Sequence, residues 1–304
     1  MPSKNGKYQD DKVFFRQYES MLHLPFVMYA DFESILVKQD NINGDENKSW
    51  TNKTQHHVAD GFAVYIKSID PDFYKEPYIY TGPNAAEHFI DYVVSQEEEI
   101  RNIYEEPLPI PDLDQLQRDE FDNATECYLC RGAFVTDQSS KDFRNKKKVL
   151  DHCHITGVYR GAAHSICNLQ LKIDPKTIKV PVIIHNLKGY DSHLILSAVK
   201  PRHGEIKCIA SNTEKYTSFS IGGVTFLDSC QFMQSSLERL VDNICQDSGD
   251  LNTKFPEVTK YLNRESDEEV KELCFPDESN EVYLYYFPMK ASIYYLLIIH
   301  SSPS

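Results

Sequence analysis

Short apolar runs alternate with amphipathic stretches along this chain. Pro25-Phe-Val-Met-Tyr-Ala30 is rich in strand formers and runs into Asp31-Phe-Glu33. Residues 61–66 and 77–81 read as further strands, and the Asn- and Asp-rich stretch 40–57 as a polar loop. A helix is predicted from Ala85 to about Tyr104, capped by Asn84, with Phe89, Tyr92, Val93 and Ile100 on one face. Pro107, Pro109 and Pro111 break the pattern and open an excursion that closes near Pro175. Val180-Pro-Val-Ile-Ile184 then reads as a buried strand of β-branched residues. A turn over 185–191 leads into a helix over 191–199, followed by strands near 205–210, 215–220 and 224–228. Ser235 caps a last predicted helix, from Ser236 to about Ile244. Residues 1–20 are a polar lead-in, and 246–282 are polar and acidic. The apolar run 292–299 is too short to span a bilayer, and reads either as a buried strand or as a truncated or misjoined end. Strands and helices in this order predict an α/β sheet with one excursion.

Composition changes the picture in one respect. The chain has 304 residues, 41% of them hydrophobic, and a formal net charge of −14, which argues against a simple basic nucleic-acid binder. The charge is unevenly spread. Residues 97–126 carry eleven acids against two arginines, whereas 141–172 carry seven Lys or Arg against two Asp. A basic patch behind an acidic connector suits local phosphate binding. The eight cysteines form no disulfide framework and no signal peptide opens the chain, so the expected setting is a reducing, intracellular one without a membrane partner.

Three of the cysteines have a metal pattern. Cys127-Tyr-Leu-Cys130 and His164-Ser-Ile-Cys167 are two ligand pairs with equal gaps, which read as one tetrahedral zinc site. A module of this size buries too little apolar surface to fold alone, and a zinc would staple it. Between the pairs lies Asp151-His152-Cys153-His154. Phosphodiester hydrolysis needs a cation and a base. Asp151 can hold the cation with Asn168 as a neutral second ligand, His152 can be the base, and Lys146, Lys147, Lys148 and Arg160 can meet phosphates.

A second set of acids brackets the excursion. Asp31 and Glu33 are two apart at a strand end, so they share a face, an arrangement that is costly without a cation between them. Asp191, opening a helix after a buried strand, can complete the cluster. Three acids from distant positions are the pattern of a two-metal phosphodiester centre, with Mg²⁺ or Mn²⁺ as the cation. His56-His57 reads as a solvated pair, and His185 and His193 as packing or turn residues.

Two resemblances follow. The 127–168 cluster resembles the recombination endonuclease VII family of His-Me (HNH-like) nucleases through Cys127, Cys130, Asp151, His152, His154, Arg160, Gly161, Cys167 and Asn168. His164 stands where that family has a third cysteine, and Cys153 where it commonly has an acid. The resemblance implies Asp151 and Asn168 as cation ligands and His152 as general base. Tyr29-Ala-Asp31-Phe-Glu33 and His185-Asn186-Leu-Lys-Gly-Tyr190-Asp191 resemble the first two exonuclease motifs of family B DNA polymerases of the protein-primed type found in Maverick/Polinton-like elements. This implies an RNase H-like (DEDD) 3′–5′ exonuclease sheet with an inserted zinc-stapled module. Asp31, Glu33 and Asp191 would be metal ligands, and Asn186 a contact to the single strand. Asp228 is expected to be structural or substrate-positioning.

The implied organisation is a lead at 1–20, exonuclease-like parts at 21–106 and 176–290, a zinc insert at 107–175 and a divergent tail at 291–304. The implied partners are DNA (single-stranded 3′ ends, or branched or duplex DNA) and a missing polymerase portion or terminal protein primer, in the nucleus. No third exonuclease motif follows Asp228 and no polymerase palm motif is present, so no polymerase activity is expected of this chain. The alternatives are an inactive zinc-dependent DNA-binding remnant and a stand-alone structure-specific endonuclease.

Overall fold

The computed structural model describes residues 23–38, 55–171, 173–212, 215–237, 239, 240 and 243. The elements in order are β1 (Phe26–Lys38), β2 (Gln55–Ser68), β3 (Tyr78–Thr81), α1 (Ala85–Glu105), α2 (Gln115–Asn123), α3 (Phe143–Lys146), β4 (Lys148–His152), β5 (Tyr159–His164), α4 (Ser165–Gln170), β6 (Val180–Ile184), α5 (Asp191–Ala198), β7 (Ile206–Ala210), β8 (Tyr216–Ile221) and β9 (Val224–Asp228). Two compact units divide them. One is built from Arg101–Ile178, and the other from Phe26–Ile100 with the described residues that follow Lys179. Among the described residues no helix is long and apolar enough to cross a membrane.

The larger unit is an α/β structure around a seven-stranded mixed sheet in the order β3-β2-β1-β6-β9-β8-β7. β1, β6 and β9 are parallel neighbours, and the remaining pairs are antiparallel. Register aligns the ends of β6 and β9 with the last β1 residue paired to β6: Ala30 lies opposite Ile184, and Ile184 opposite Asp228, while β1 runs on paired to β2 alone. Whatever follows those residues gathers at one edge, the carboxyl edge where open α/β sheets bind ligands. α1 covers the sheet with Phe89, Ile90, Val93 and Ile100, all at most 1% exposed and spaced for one helical face. Phe89 packs edge-on against Phe32 and Phe62, and Phe219 stacks on Phe226 beneath the same core.

Two expectations are corrected in this unit. The polar loop read over 40–57 gives way at Gln55, where β2 begins six residues before the expected strand. β1 likewise runs on to Lys38, because antiparallel pairing to β2 satisfies the backbone of polar residues that propensity assigns to a loop. A bulge between Glu33 and Ser34 bends this extended pair. Of the helix expected over 236–244, the described part includes one helical bond, from Leu240 N–H to the Ser236 carbonyl at 3.0 Å. The stretches 1–20, 246–282 and 291–304 lie outside the described residues.

The smaller unit is a β-hairpin, β4 with β5, followed directly by α4. Asp151 pairs with Gly161, and a bulge follows before His152. α2 stands at its start, held by a capping box between Asp114 and Gln117. Its apolar centre is small, with Cys127, Ala163 and Cys167 buried and Tyr128, Leu129, Phe134 and Val149 packed around them.

Candidate metal centres

The first centre is a Cys3His cluster in the smaller unit. A tight turn closes at its knuckle: Cys127 N–H donates to the Gly132 carbonyl at 2.8 Å, and Arg131 N–H to the Cys127 carbonyl at 2.9 Å. That turn presents Cys127 and Cys130, while the step from β5 into α4 presents His164 and Cys167. The four donor atoms all lie within 4.8 Å of one another. A tetrahedral zinc with thiolate bonds of about 2.3 Å puts its ligand atoms about 3.8 Å apart. For a sulfur and an imidazole nitrogen, bound at about 2.0–2.1 Å, the separation is about 3.6 Å, and the observed 3.2 Å from Cys130 Sγ to His164 Nδ1 and 3.8 Å from Cys167 Sγ to the same nitrogen lie on either side of it. His164 Nε2 lies 3.0 Å from the Ala133 carbonyl, which can only accept, so the ring proton sits on Nε2 and Nδ1 keeps its lone pair for a metal.

The thiols carry the same message. Burial opposes ionisation of Cys127, but the N–H groups of Cys130, His164 and Leu129 outweigh it and lower its pKa. Burial and the neighbouring sulfurs of Cys127 and Cys130 push Cys167 up to about 12. Three thiolates in one sphere repel unless a cation sits among them, and the donor set fits zinc.

The second centre is a group of carboxylates at the carboxyl edge of the parallel strands. Asp31 and Glu33 come from β1 and are half-buried, and Asp191 opens α5 and is 5% exposed. Burial, and then the charge of Asp31, push Asp191 up to about 8; Asp228 and Glu33 add to the rise, and its own N–H opposes it. Asp31 and Glu33, expected at a strand end, lie inside β1 just past its pairing with β6, and what joins them to Asp191 is charge. Among the described residues, the Cys/His donors alone converge to ligand distance.

Asp228 has a different employment. Its Oδ2 accepts from Lys188 N–H and its Oδ1 from Cys230 N–H, both at 2.9 Å, so this buried acid holds the turn that carries residues 186–190. Within that turn Asn186 is exposed and adopts the left-handed conformation, with φ 63°. A side chain at Gly189 would put its Cβ 2.5 Å from Asn186 Oδ1, so only glycine leaves the amide its place. His185 is a strut in the same region. Its Nε2–H donates to the Ser235 carbonyl and its Nδ1 accepts from the Ser229 hydroxyl, both at 2.8 Å.

Sequence reasoning missed the part played by Tyr190 and His57. The Tyr190 hydroxyl hydrogen-bonds Ser34 Oγ and lies 2.5 Å from His57 Nδ1. It thereby ties the residue before Asp191 to the residue after Glu33. A histidine pair on a polar stretch gives no signal of this, because the contact depends on how far β2 extends. Tyr190 and His57 also wall a cleft of about 960 Å³ with Asn84, His193 and Lys200, and none of the three acids lines it.

The remaining expected residues lie in the smaller unit and are mostly engaged there. Lys148, read as a phosphate contact, instead donates to the carbonyls of Phe121, Asp122 and Ala124 at 2.7–3.2 Å and caps the end of α2. Arg160, read the same way, pairs with Asp151 through Nε and Nη2. Lys146 and Lys147 are exposed, Lys146 with an i,i+4 partner in Asp142 at 3.0 Å. His152 is buried to 9% exposure and its Nε2–H faces the Leu108 carbonyl at 3.1 Å. Asn168 is half-buried on α4, one residue past Cys167. Compared with protein-family models, with curated proteins and with solved structures, the chain matches none.

Proposed function

We propose that this chain is the exonuclease portion of a family B DNA polymerase, an RNase H-like sheet that hydrolyses phosphodiesters at single-stranded 3′ ends of DNA in the nucleus. The observation that carries this reading is the convergence of charge on Asp191: a buried carboxylate set against Asp31 and Glu33 at the carboxyl edge of three parallel strands. Like charges gathered in a buried place favour a divalent cation. Mg²⁺ or Mn²⁺, when bound, supplies a polarised water and charge compensation on the phosphate.

Asp31, Glu33 and Asp191 would hold that cation. Asp228 keeps the 186–190 turn in place beneath them, and Tyr190, bonded to Ser34, sets β1 against the start of α5. Asn186, exposed on the turn, is the group offered to the single strand. Zinc on Cys127, Cys130, His164 and Cys167 folds the smaller unit and takes no part in the hydrolysis. A polymerase portion or terminal protein primer is the partner this reading calls for.

A 5′-labelled single-stranded oligonucleotide tests the reading. Zinc-loaded protein with Mg²⁺ or Mn²⁺ is expected to shorten it from the 3′ end, and Asp31→Ala to stop the shortening. Wild-type protein that leaves the strand intact, or an Asp31→Ala variant that shortens it equally, would sink the reading.

A further inference from the structure

The resemblance of the smaller unit to His-Me nucleases assigns a catalytic cation to Asp151, and the side chains around Asp151 do not fit one. Asp151 is 1% exposed. Its Oδ1 accepts from Arg160 Nη2 at 2.9 Å, and its Oδ2 accepts both from Arg160 Nε at 3.0 Å and from the Tyr128 hydroxyl at 2.5 Å. The pair is bidentate, so the guanidinium neutralises the carboxylate, and with Tyr128 it occupies three of the roughly four lone-pair sites of the two oxygens. A divalent ion entering here would displace a buried ion pair and meet the positive charge it frees.

The arrangement is built into the backbone. Asp151 and Gly161 are opposite each other on β4 and β5, which brings Arg160 alongside the carboxylate. A Cβ on Gly161 would lie 3.0 Å from the Tyr128 ring, so the glycine (φ 149°) lets that ring cross the hairpin. Tyr128 itself sits between zinc ligands Cys127 and Cys130, and its N–H donates to the Ala162 carbonyl at 3.0 Å. The zinc knuckle therefore delivers the tyrosine hydroxyl to Asp151.

We infer that Arg160 and Tyr128 convert Asp151 from a cation ligand into a structural anchor, so that the zinc unit cuts no DNA and the chain has no second hydrolytic centre at Asp151. This holds whether or not the carboxylates of the larger unit hydrolyse DNA.

The test is the number of Mn²⁺ ions bound by the zinc-loaded full chain, read by electron paramagnetic resonance, with the melting temperature of each variant. Asp151→Asn is expected to bind as many Mn²⁺ ions as wild type while melting several degrees lower. Loss of one Mn²⁺ ion in Asp151→Asn would overturn the inference. Should Asp151→Asn fail to fold, His152→Gln, which leaves the Arg160 pair intact, is assayed on duplex and branched DNA with Mn²⁺. Nicking equal to wild type, or absent from both, supports the inference, and nicking lost with His152 overturns it. An Mn²⁺ count that does not fall in Asp191→Asn counts against the carboxylate reading alone.

Discussion

Asp151 and Asp191 are both almost fully buried, at 1% and 5% exposure, and they are opposites in what surrounds them. Asp151 has a guanidinium and a phenol, which leave it no need of a further cation. Asp191 has three other carboxylates in electrostatic reach and is held up to about 8. A buried acid paired in place is already neutralised, whereas a buried acid among other carboxylates has its ionisation opposed. Motif reading assigned a cation to both. The company each keeps separates them, and the comparison can be broken at several points.

The largest effect is expected from zinc removal. Structural zinc contributes about 10–16 kcal/mol in small zinc domains, so a strong chelator should unfold the smaller unit. Loss of its near-UV circular dichroism, with the β-sheet signal of the larger unit retained, checks this. Next comes Arg160→Met, which leaves Asp151 buried without its partner and should cost about 3–5 kcal/mol in denaturant unfolding of the zinc-loaded protein. A cost near zero would mean that the ion pair is not formed.

Comparable in size is the pH effect at Asp191. Its folded value of about 8 lies above the ordinary 3.8, so between those values the folded state binds a proton that the unfolded state has released. Stability of cation-free protein therefore falls as pH rises from about 4 to about 8, a slope that Asp191→Asn should flatten and added Mn²⁺ should offset. Melting temperature against pH, with and without Mn²⁺, reads it. The smallest effect is Tyr128→Phe, which removes one of three donors to Asp151 and should cost about 1–3 kcal/mol with zinc content unchanged by metal analysis.

Much of the α/β layout was legible because its signals are local. The β-branched run 180–184 and the stripe Phe89, Val93, Ile100 on α1 need no knowledge of what packs on them. The two-residue gaps of Cys127/Cys130 and His164/Cys167 are also local, since so short a gap lets both residues of a pair reach one metal. What could not be read depends on register. That Arg160 lands on Asp151 follows from the pairing of Asp151 with Gly161, which no propensity specifies. That Lys148 closes α2 depends on where α2 ends. His57 reaches Tyr190 only because β2 begins at Gln55, in a stretch whose composition reads as loop.

One assay bears most directly on the claim that the carboxylate edge, and not the zinc unit, is the hydrolytic centre. Asp191→Asn and Asp151→Asn, both zinc-loaded and folded, are compared with wild type for release of 3′ nucleotides from single-stranded DNA in Mg²⁺ or Mn²⁺. Asp191→Asn should fall by at least about a hundredfold, the scale of losing one strong electrostatic contact to a transition state. Asp151→Asn should keep the wild-type rate. The reverse order, or a wild-type protein with no release at all, would contradict the account.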